Sequence, residues 1–239
     1  MMEIKNLTVA YPDGTTAVNN FSCTIASGET VALIGANGAG KTSLMLTLVG
    51  VLPVKSGGVT VDGVTLEKKS LNDIRRRVGL VFQNPDDQLF MPLIRDDVAF
   101  GPRNFGLTPE EVEKQVEKAL KSLEISHLRD RSSLKLSGGE KRMAAIATVL
   151  AMEPQVMLFD EPTAFLDPRA RRNLINVLRG LPHAKLIALH DLNFAAEVCD
   201  SVLIMKGGEL FAQGSTELLY DAELMDGCGL EAITAVKRQ

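Results

Sequence analysis

The chain has 239 residues, 45% hydrophobic and 23% charged, which is long enough to bury a sizeable core and balanced as globular domains are. Its 26 lysines and arginines against 30 aspartates and glutamates leave a net charge of −4, which argues against a strongly basic nucleic-acid binder. Cys23, Cys199 and Cys228 are widely spaced with no CxxC, and no run of about 18 apolar residues occurs, so a soluble cytoplasmic protein without disulfide framework, zinc site or membrane span is expected.

Ile4, Leu7 and Val9 lie in an apolar run that ends at the turn cluster Tyr11-Pro12-Asp13-Gly14, so the first segment reads as a hairpin. Thr30-Val31-Ala32-Leu33-Ile34 has the nearly unbroken β-branched and apolar character of a strand buried on both faces, and residues 42–49 read as helix. A β stretch is expected over 59–66 after Gly57-Gly58, and a further strand over 78–82. From about 84 to 153 the pattern changes to helical periods. There Thr108-Pro109-Glu110-Glu111 combines an N-cap, a first-turn proline and a capping-box glutamate, and Val112, Val116, Ala119, Leu120 and Leu123 form one apolar face. After Pro154, buried-strand runs return at 156–159, 186–189 and 202–205. Strands and helices alternating around a helical insert predict an α/β core with a mostly parallel sheet. The expected division is residues 1–83 and 154–220 for the core with its β subdomain, 84–153 for the helical subdomain, and 221–239 for a C-terminal tail.

Three motifs carry chemistry. Gly35-Ala36-Asn37-Gly38-Ala39-Gly40-Lys41-Thr42 fits GxxxxGK[ST] between a predicted strand and a predicted helix. Its glycines let successive N–H groups turn inward around phosphate oxygens, with the positive end of the helix dipole behind them. Lys41 would reach the β and γ phosphates, and Thr42 would ligate Mg²⁺. The run over 156–159 ends in Asp160-Glu161-Pro162. Alone this is a charged strand end and turn; with a phosphate loop upstream, Asp160 can hold Mg²⁺ and Glu161 can polarise an attacking water. Leu136-Ser137-Gly138-Gly139-Glu140 reads either as a plain capping box or as a second set of bare backbone donors for an anion. One chain does not easily aim two such cradles at one triphosphate, whereas two copies head to tail do.

In their order, the loop at 35–42, Gln83, LSGGE at 136–140, Asp160-Glu161, Ala164-Phe165-Leu166-Asp167 and His190 resemble the ATP-binding-cassette (ABC) ATPases over about residues 2–220. The stretch 81–90, VFQNPDDQLF, followed by 97–102, DVAFGP, resembles the energy-coupling-factor (ECF) ATPases of micronutrient importers, and the short chain resembles their cobalt and nickel branch. The resemblance implies an α/β fold: a P-loop NTPase (RecA-like) core with a mixed sheet, an N-terminal antiparallel β subdomain and an inserted α-helical subdomain. It implies ATP bound by Gly35, Asn37, Gly38, Ala39, Gly40, Lys41, Thr42 and Ser43, with Tyr11 on the adenine and Mg²⁺ held by Thr42, Gln83 and Asp160. Glu161 would act on the attacking water, Gln83 would sense the γ-phosphate and His190 would contact it from behind. Ser137, Gly138, Gly139 and Glu140 would complete the opposite subunit's site, and Asp167 would bridge the two.

Glu140 stands where glutamine is commoner and adds negative charge near a phosphate; Phe165 stands for a frequent glycine and Ala36 for a frequent proline. The partners so implied are a second copy or a paralogous ATPase, an integral membrane coupling subunit and a substrate-binding membrane subunit, at the cytoplasmic face of the membrane and with no nucleic acid. Asp86-Asp87 and Asp96-Asp97, around Leu89, Phe90 and Met91, are expected to form a groove for basic helices of the coupling subunit. His127, His183, His190 and the cysteines lack metal-ligand spacing, so recognition of a transported metal falls to a partner. Three alternatives stand beside this. A vitamin importer would use the same ATPase. An ABC ATPase acting on nucleic acid would call for long coiled-coil inserts or a basic surface. A small P-loop kinase or GTPase leaves LSGGE unexplained, and the GTPase would want an NKxD motif, which is absent.

Overall fold

The computed structural model describes residues 1–234. β1 (Met2–Ala10) pairs antiparallel with β2 (Thr16–Ile25) and, on its other edge, with β4 (Ser56–Val61). Alternation, reset by a bulge between Ile4 and Leu7 where Asn6 takes φ 47°, buries Met2, Ile4, Leu7 and Val9 in one core. The single β stretch expected over 59–66 is instead two strands, because β4 turns back at Asp62-Gly63 into β5 (Val64–Thr65). Asp62 at φ 50° and Gly63 at φ 79° supply the two left-handed positions that a two-residue type I′ hairpin requires.

The second sheet has the order β10-β9-β3-β8-β7-β6. Its strands are β3 (Thr30–Ile34), β6 (Val78–Val81), β7 (Val156–Asp160), β8 (Ala184–Leu189), β9 (Ser201–Lys206) and β10 (Glu209–Ser215). All pairings are parallel except that of the edge strand β10. Every residue of β3, β7 and β8 is buried, which accounts for their continuous apolar runs. Neighbouring parallel strands β3, β8, β7 and β6 therefore end at one edge. That edge receives Gly35, His190, Asp160-Glu161 and Gln83 directly after the four strands, where open α/β sheets place ligands.

One face of this sheet packs on α1 (Lys41–Leu48) and the β1 sheet through Leu44, Met45, Phe21 and Leu158, with Ile74 of α2 (Leu71–Arg77) in the same core. The other face carries α3 (Ile94–Asn104), α4 (Pro109–Ser122), α5 (Gly138–Leu150), α6 (Pro168–Gly180) and α7 (Leu192–Val198). Val98, Val116 and Ile146 of this helical layer lie in one unbroken apolar cluster with Ile187 and Val202 of the sheet. α4 starts as its sequence dictates: the Glu111 N–H donates to Thr108 Oγ1 at 3.3 Å, and the Thr108 N–H donates to Glu111 Oε2 at 2.8 Å. Its face of Val112, Val116, Ala119 and Leu120 is buried, as is Leu123 just beyond it. Between α4 and α6 lies a cleft of about 660 Å³ lined by Lys118, Asn173, Asn176 and His183. Beyond residue 221, α8 (Ala222–Gly227) buries Met225 in the same apolar cluster. Among the described residues no helix is long and apolar enough to cross a membrane.

Candidate active site

The loop after β3 is shaped by what its glycines exclude. A Cβ on Gly35 would stand 2.5 Å from the Met205 carbonyl oxygen, and one on Gly40, at φ 102°, would stand 2.3 Å from that of Ala17. α1 then begins without a side-chain cap at Gly40, so its first-turn N–H groups are free of a capping oxygen. These groups border a cleft of about 450 Å³ whose walls include Tyr11, Asn37, Gly38, Ala39, Gly40, Lys41, Thr42, Ser43 and Glu161. Lys41 lies back over its own loop, Nζ donating to the carbonyls of Gly35 at 2.6 Å and Ala36 at 3.3 Å. Burial lowers its pKa, while the carboxylates of Glu161 and Asp160 pull the other way.

Thr42 Oγ1 donates to Asp160 Oδ2 at 3.0 Å. Asp160 is buried, which raises its pKa against the opposing hydrogen bond from Thr42. A hydroxyl and a carboxylate side by side at the foot of a phosphate cradle are hard oxygen donors that fit Mg²⁺, and the cradle itself fits a nucleoside triphosphate. The Tyr11 hydroxyl lies 2.8 Å from Ser43 Oγ, and both residues line the cleft.

Glu161 joins three strand ends. Its backbone takes the left-handed φ of 44°, and its N–H donates to the Ala188 carbonyl at 3.0 Å. The side chain then reaches both sides: Oε1 lies 2.7 Å from His190 Nε2, and Oε2 accepts from Gln83 Nε2 at 3.4 Å. The turn that presents His190 is braced from below. Asp191 caps α7 by accepting the Phe194 N–H at 2.9 Å, and its other oxygen accepts from Arg171 Nε at 3.0 Å. The Arg171 guanidinium also lies over the Phe194 ring, 5.3 Å from its centre.

Ser137 caps α5, with its Oγ accepting the Glu140 N–H at 3.3 Å while Glu140 Oε2 accepts the Ser137 N–H at 2.8 Å. The Ser137 N–H first, and then the Ser137 hydroxyl, which donates to the same Oε2 at 2.8 Å, lower the pKa of Glu140. Asp167 caps α6 through the Ala170 N–H at 2.8 Å. The two turns touch, since a Cβ on Gly139 would meet that of Ala170 at 2.9 Å. Neither turn lines the nucleotide cleft. Phe165 stands 89% exposed beside them at φ 62°.

The expected carboxylate groove needs one correction: Asp97 is buried, its Oδ1 accepting the N–H groups of Phe90 and Met91, each at 2.9 Å, so it is a loop brace and not a surface charge. Sequence reasoning also missed Gly207 and Gly208, which border the nucleotide cleft. The Gly208 N–H donates to the Ala39 carbonyl at 3.0 Å, tying the β9–β10 turn to the phosphate loop. The paired glycines between two apolar runs were the available signal.

A phosphate loop closing one parallel strand, with carboxylates at the end of the next strand but one in the sheet, defines a P-loop nucleoside-triphosphate hydrolase. Residues 18–164 match the family model described as ABC transporter, and the chain belongs to that family and is an ATPase. It is 44% identical over 231 residues to the energy-coupling factor transporter ATP-binding protein EcfA of Methanothermobacter thermautotrophicus, covering 94% of this chain and 74% of that one. Among solved structures it resembles cbiO1 of Clostridium perfringens, part of the ABC transporter complex cbiONQ, with a TM-score of 0.84, 36% identity and coverage of 95% and 93%. It also resembles the ATP-binding cassette MJ0796 in a dimeric post-hydrolysis state with ADP and Pi, at a TM-score of 0.79, 26% identity and coverage of 90% and 99%.

Proposed function

We propose that this protein is the ATP-hydrolysing subunit of an ECF-type importer, bound peripherally to the cytoplasmic face of the membrane, and that the imported substrate is cobalt or nickel ions. The observation that carries the reading is the separation of Ser137, Gly138 and Gly139 from the cleft of Lys41 and Glu161. A second ATPase subunit, identical or paralogous, presents its signature turn to this cleft and receives this chain's in return. Tyr11 takes the adenine, the 35–43 loop the phosphates, and Thr42 and Asp160 with Gln83 hold Mg²⁺, which neutralises phosphate charge. Glu161 accepts the proton of the attacking water, and Gln83 and His190 fix the orientation of its carboxylate. Asp167 adds a contact across the two subunits.

The membrane partner docks next to Gln83. Phe82, Phe90 and Phe100 are exposed, the last two edge to face at 5.0 Å; Asp87 is exposed on the same loop as Phe82 and Phe90, and Asp96, half-buried, pairs with Arg103 at 3.6 Å. Aromatic surface bordered by carboxylates suits an amphipathic basic helix. Likeness to cbiO1, part of the cbiONQ complex, supports the metal branch over vitamins. The test is uptake into vesicles holding the whole complex: ATP addition drives accumulation of cobalt or nickel. Uptake of a vitamin with neither metal overturns the substrate and keeps the energy-coupling role.

A further inference from the structure

Arg142, in the second turn of α5, is 1% exposed. Burial lowers its pKa to about 10, and among the described residues no carboxylate forms an ion pair with it. Burying a guanidinium without a counter-ion is costly, and an aliphatic residue of that length would fill the same space. Its hydrogen bonds indicate what the charge does. Nη1 donates to the Phe82 carbonyl at 2.7 Å and Nη2 to the Gln83 carbonyl at 2.6 Å, gripping two successive peptides, while Nε has no partner. Gln88 holds the same loop from the other side. Its Oε1 accepts the Phe82 N–H at 3.1 Å, and its Nε2 donates to the Ala145 carbonyl at 2.8 Å and to Thr148 Oγ1 at 2.7 Å. Lys141 adds an ion pair to Asp86 at 2.6 Å. The loop from 82 to 88 is thus fastened to α5 at three points, while α5 begins at the signature turn and the Gln83 side chain points to Glu161.

We infer that Arg142 is a positioning residue that transmits displacement of the signature helix to Gln83, so that engagement of Ser137-Gly138-Gly139 by the opposite subunit's nucleotide sets the Gln83–Glu161 contact. The inference rests on the role proposed for Gln83. The 3.4 Å between Gln83 Nε2 and Glu161 Oε2 is the long contact of the Glu161 carboxylate, and it is the one that a small shift of the loop closes or opens.

The test is a double-mutant cycle on the full chain, reading ATP affinity with a fluorescent analogue and kcat by phosphate release. Arg142→Lys keeps the charge and stem but lacks the fork that holds two carbonyls at once. It is expected to lower kcat about 10-fold, as misplacement of a reacting group does, with ATP affinity unchanged. In a Gln83→Ala background the same substitution should cause no further loss. A brace that merely stabilises the fold would lower kcat by the same factor in both backgrounds, and that result overturns the inference while leaving Gln83 in its role. Native kcat in a folded Arg142→Lys protein also overturns it. Native kcat in Gln83→Ala overturns the role of Gln83 and the inference with it. Should Arg142→Lys fail to fold, Gln88→Ala, nearer the surface, must show the same dependence on Gln83.

Discussion

Replacement of Glu161 by glutamine changes one oxygen to an amide nitrogen at the junction of three strand ends. In the native site one carboxylate oxygen lies 2.7 Å from His190 Nε2 and the other accepts from Gln83 Nε2 at 3.4 Å. The amide keeps a single acceptor oxygen, so with that oxygen left beside His190 an N–H group faces Gln83 Nε2, itself a donor. Loss of that long, solvent-facing contact costs at most about 1 kcal/mol. Loss of the proton acceptor lowers turnover by about 10²- to 10⁴-fold. In barrier height this is about 3–5 kcal/mol, well above any effect on the fold. Phosphate release at saturating Mg²⁺ and ATP measures the first quantity, and urea denaturation the second. Because hydrolysis no longer reopens the shared sites, the same variant should sediment as a dimer with ATP and mostly as a monomer without it. Near-native hydrolysis removes Glu161 from the catalytic role. A variant that stays monomeric with ATP bound refutes the shared site.

Gly40→Ala forces a Cβ to 2.3 Å from the Ala17 carbonyl oxygen at φ 102°. The backbone strain alone costs about 1–3 kcal/mol, so the urea midpoint and ATP affinity should both fall, and an unchanged midpoint would count against the packing described. Burial raises the pKa of Asp97 above its ordinary 3.8, so the folded chain holds this proton more tightly than the unfolded chain. That contribution is complete below 3.8 and is lost as pH rises through the folded value; the stability of Asp97→Asn relative to the native chain should therefore climb across this window and then level off. Denaturation across a pH series checks this, and a difference flat in pH refutes it. Reversal of Asp87 and Asp96 to lysine should abolish copurification with the membrane subunit while leaving ATP affinity intact, and intact assembly would move the docking surface elsewhere.

The strands at 30–34 and 156–159 were legible because complete burial writes itself as an unbroken apolar run, and the α4 start because its cap is local chemistry among Thr108, Pro109 and Glu111. The candidate site was legible where neighbouring residues carry it, as in the loop at 35–42. What lay hidden depends on distant partners. Asp97 looked like one of a pair of surface charges, yet two N–H groups six and seven residues away draw it inward. Arg142 was passed over beside Lys141 at the start of the helix, because its acceptors lie about sixty residues earlier in the chain and are carbonyls, which every residue has. The turn at Asp62-Gly63 is the exception: an Asp-Gly pair is a local hairpin signal, and it was absorbed into one long stretch.

The unbroken apolar cluster beneath the helical layer limits how that layer can move. Val98, Val116 and Ile146 share their core with Ile187 and Val202, so swinging the signature-bearing helices out as a separate body would expose apolar surface on both sides. Displacement of α5 must instead be a shear, with side chains slipping past one another by fractions of a turn while staying in contact. The 660 Å³ cleft between α4 and α6 gives that slip somewhere to go, since it interrupts the packing on that flank. Filling it from the α6 side, with a bulky side chain at Asn173 or Asn176, would then wedge the helices at one end of their travel.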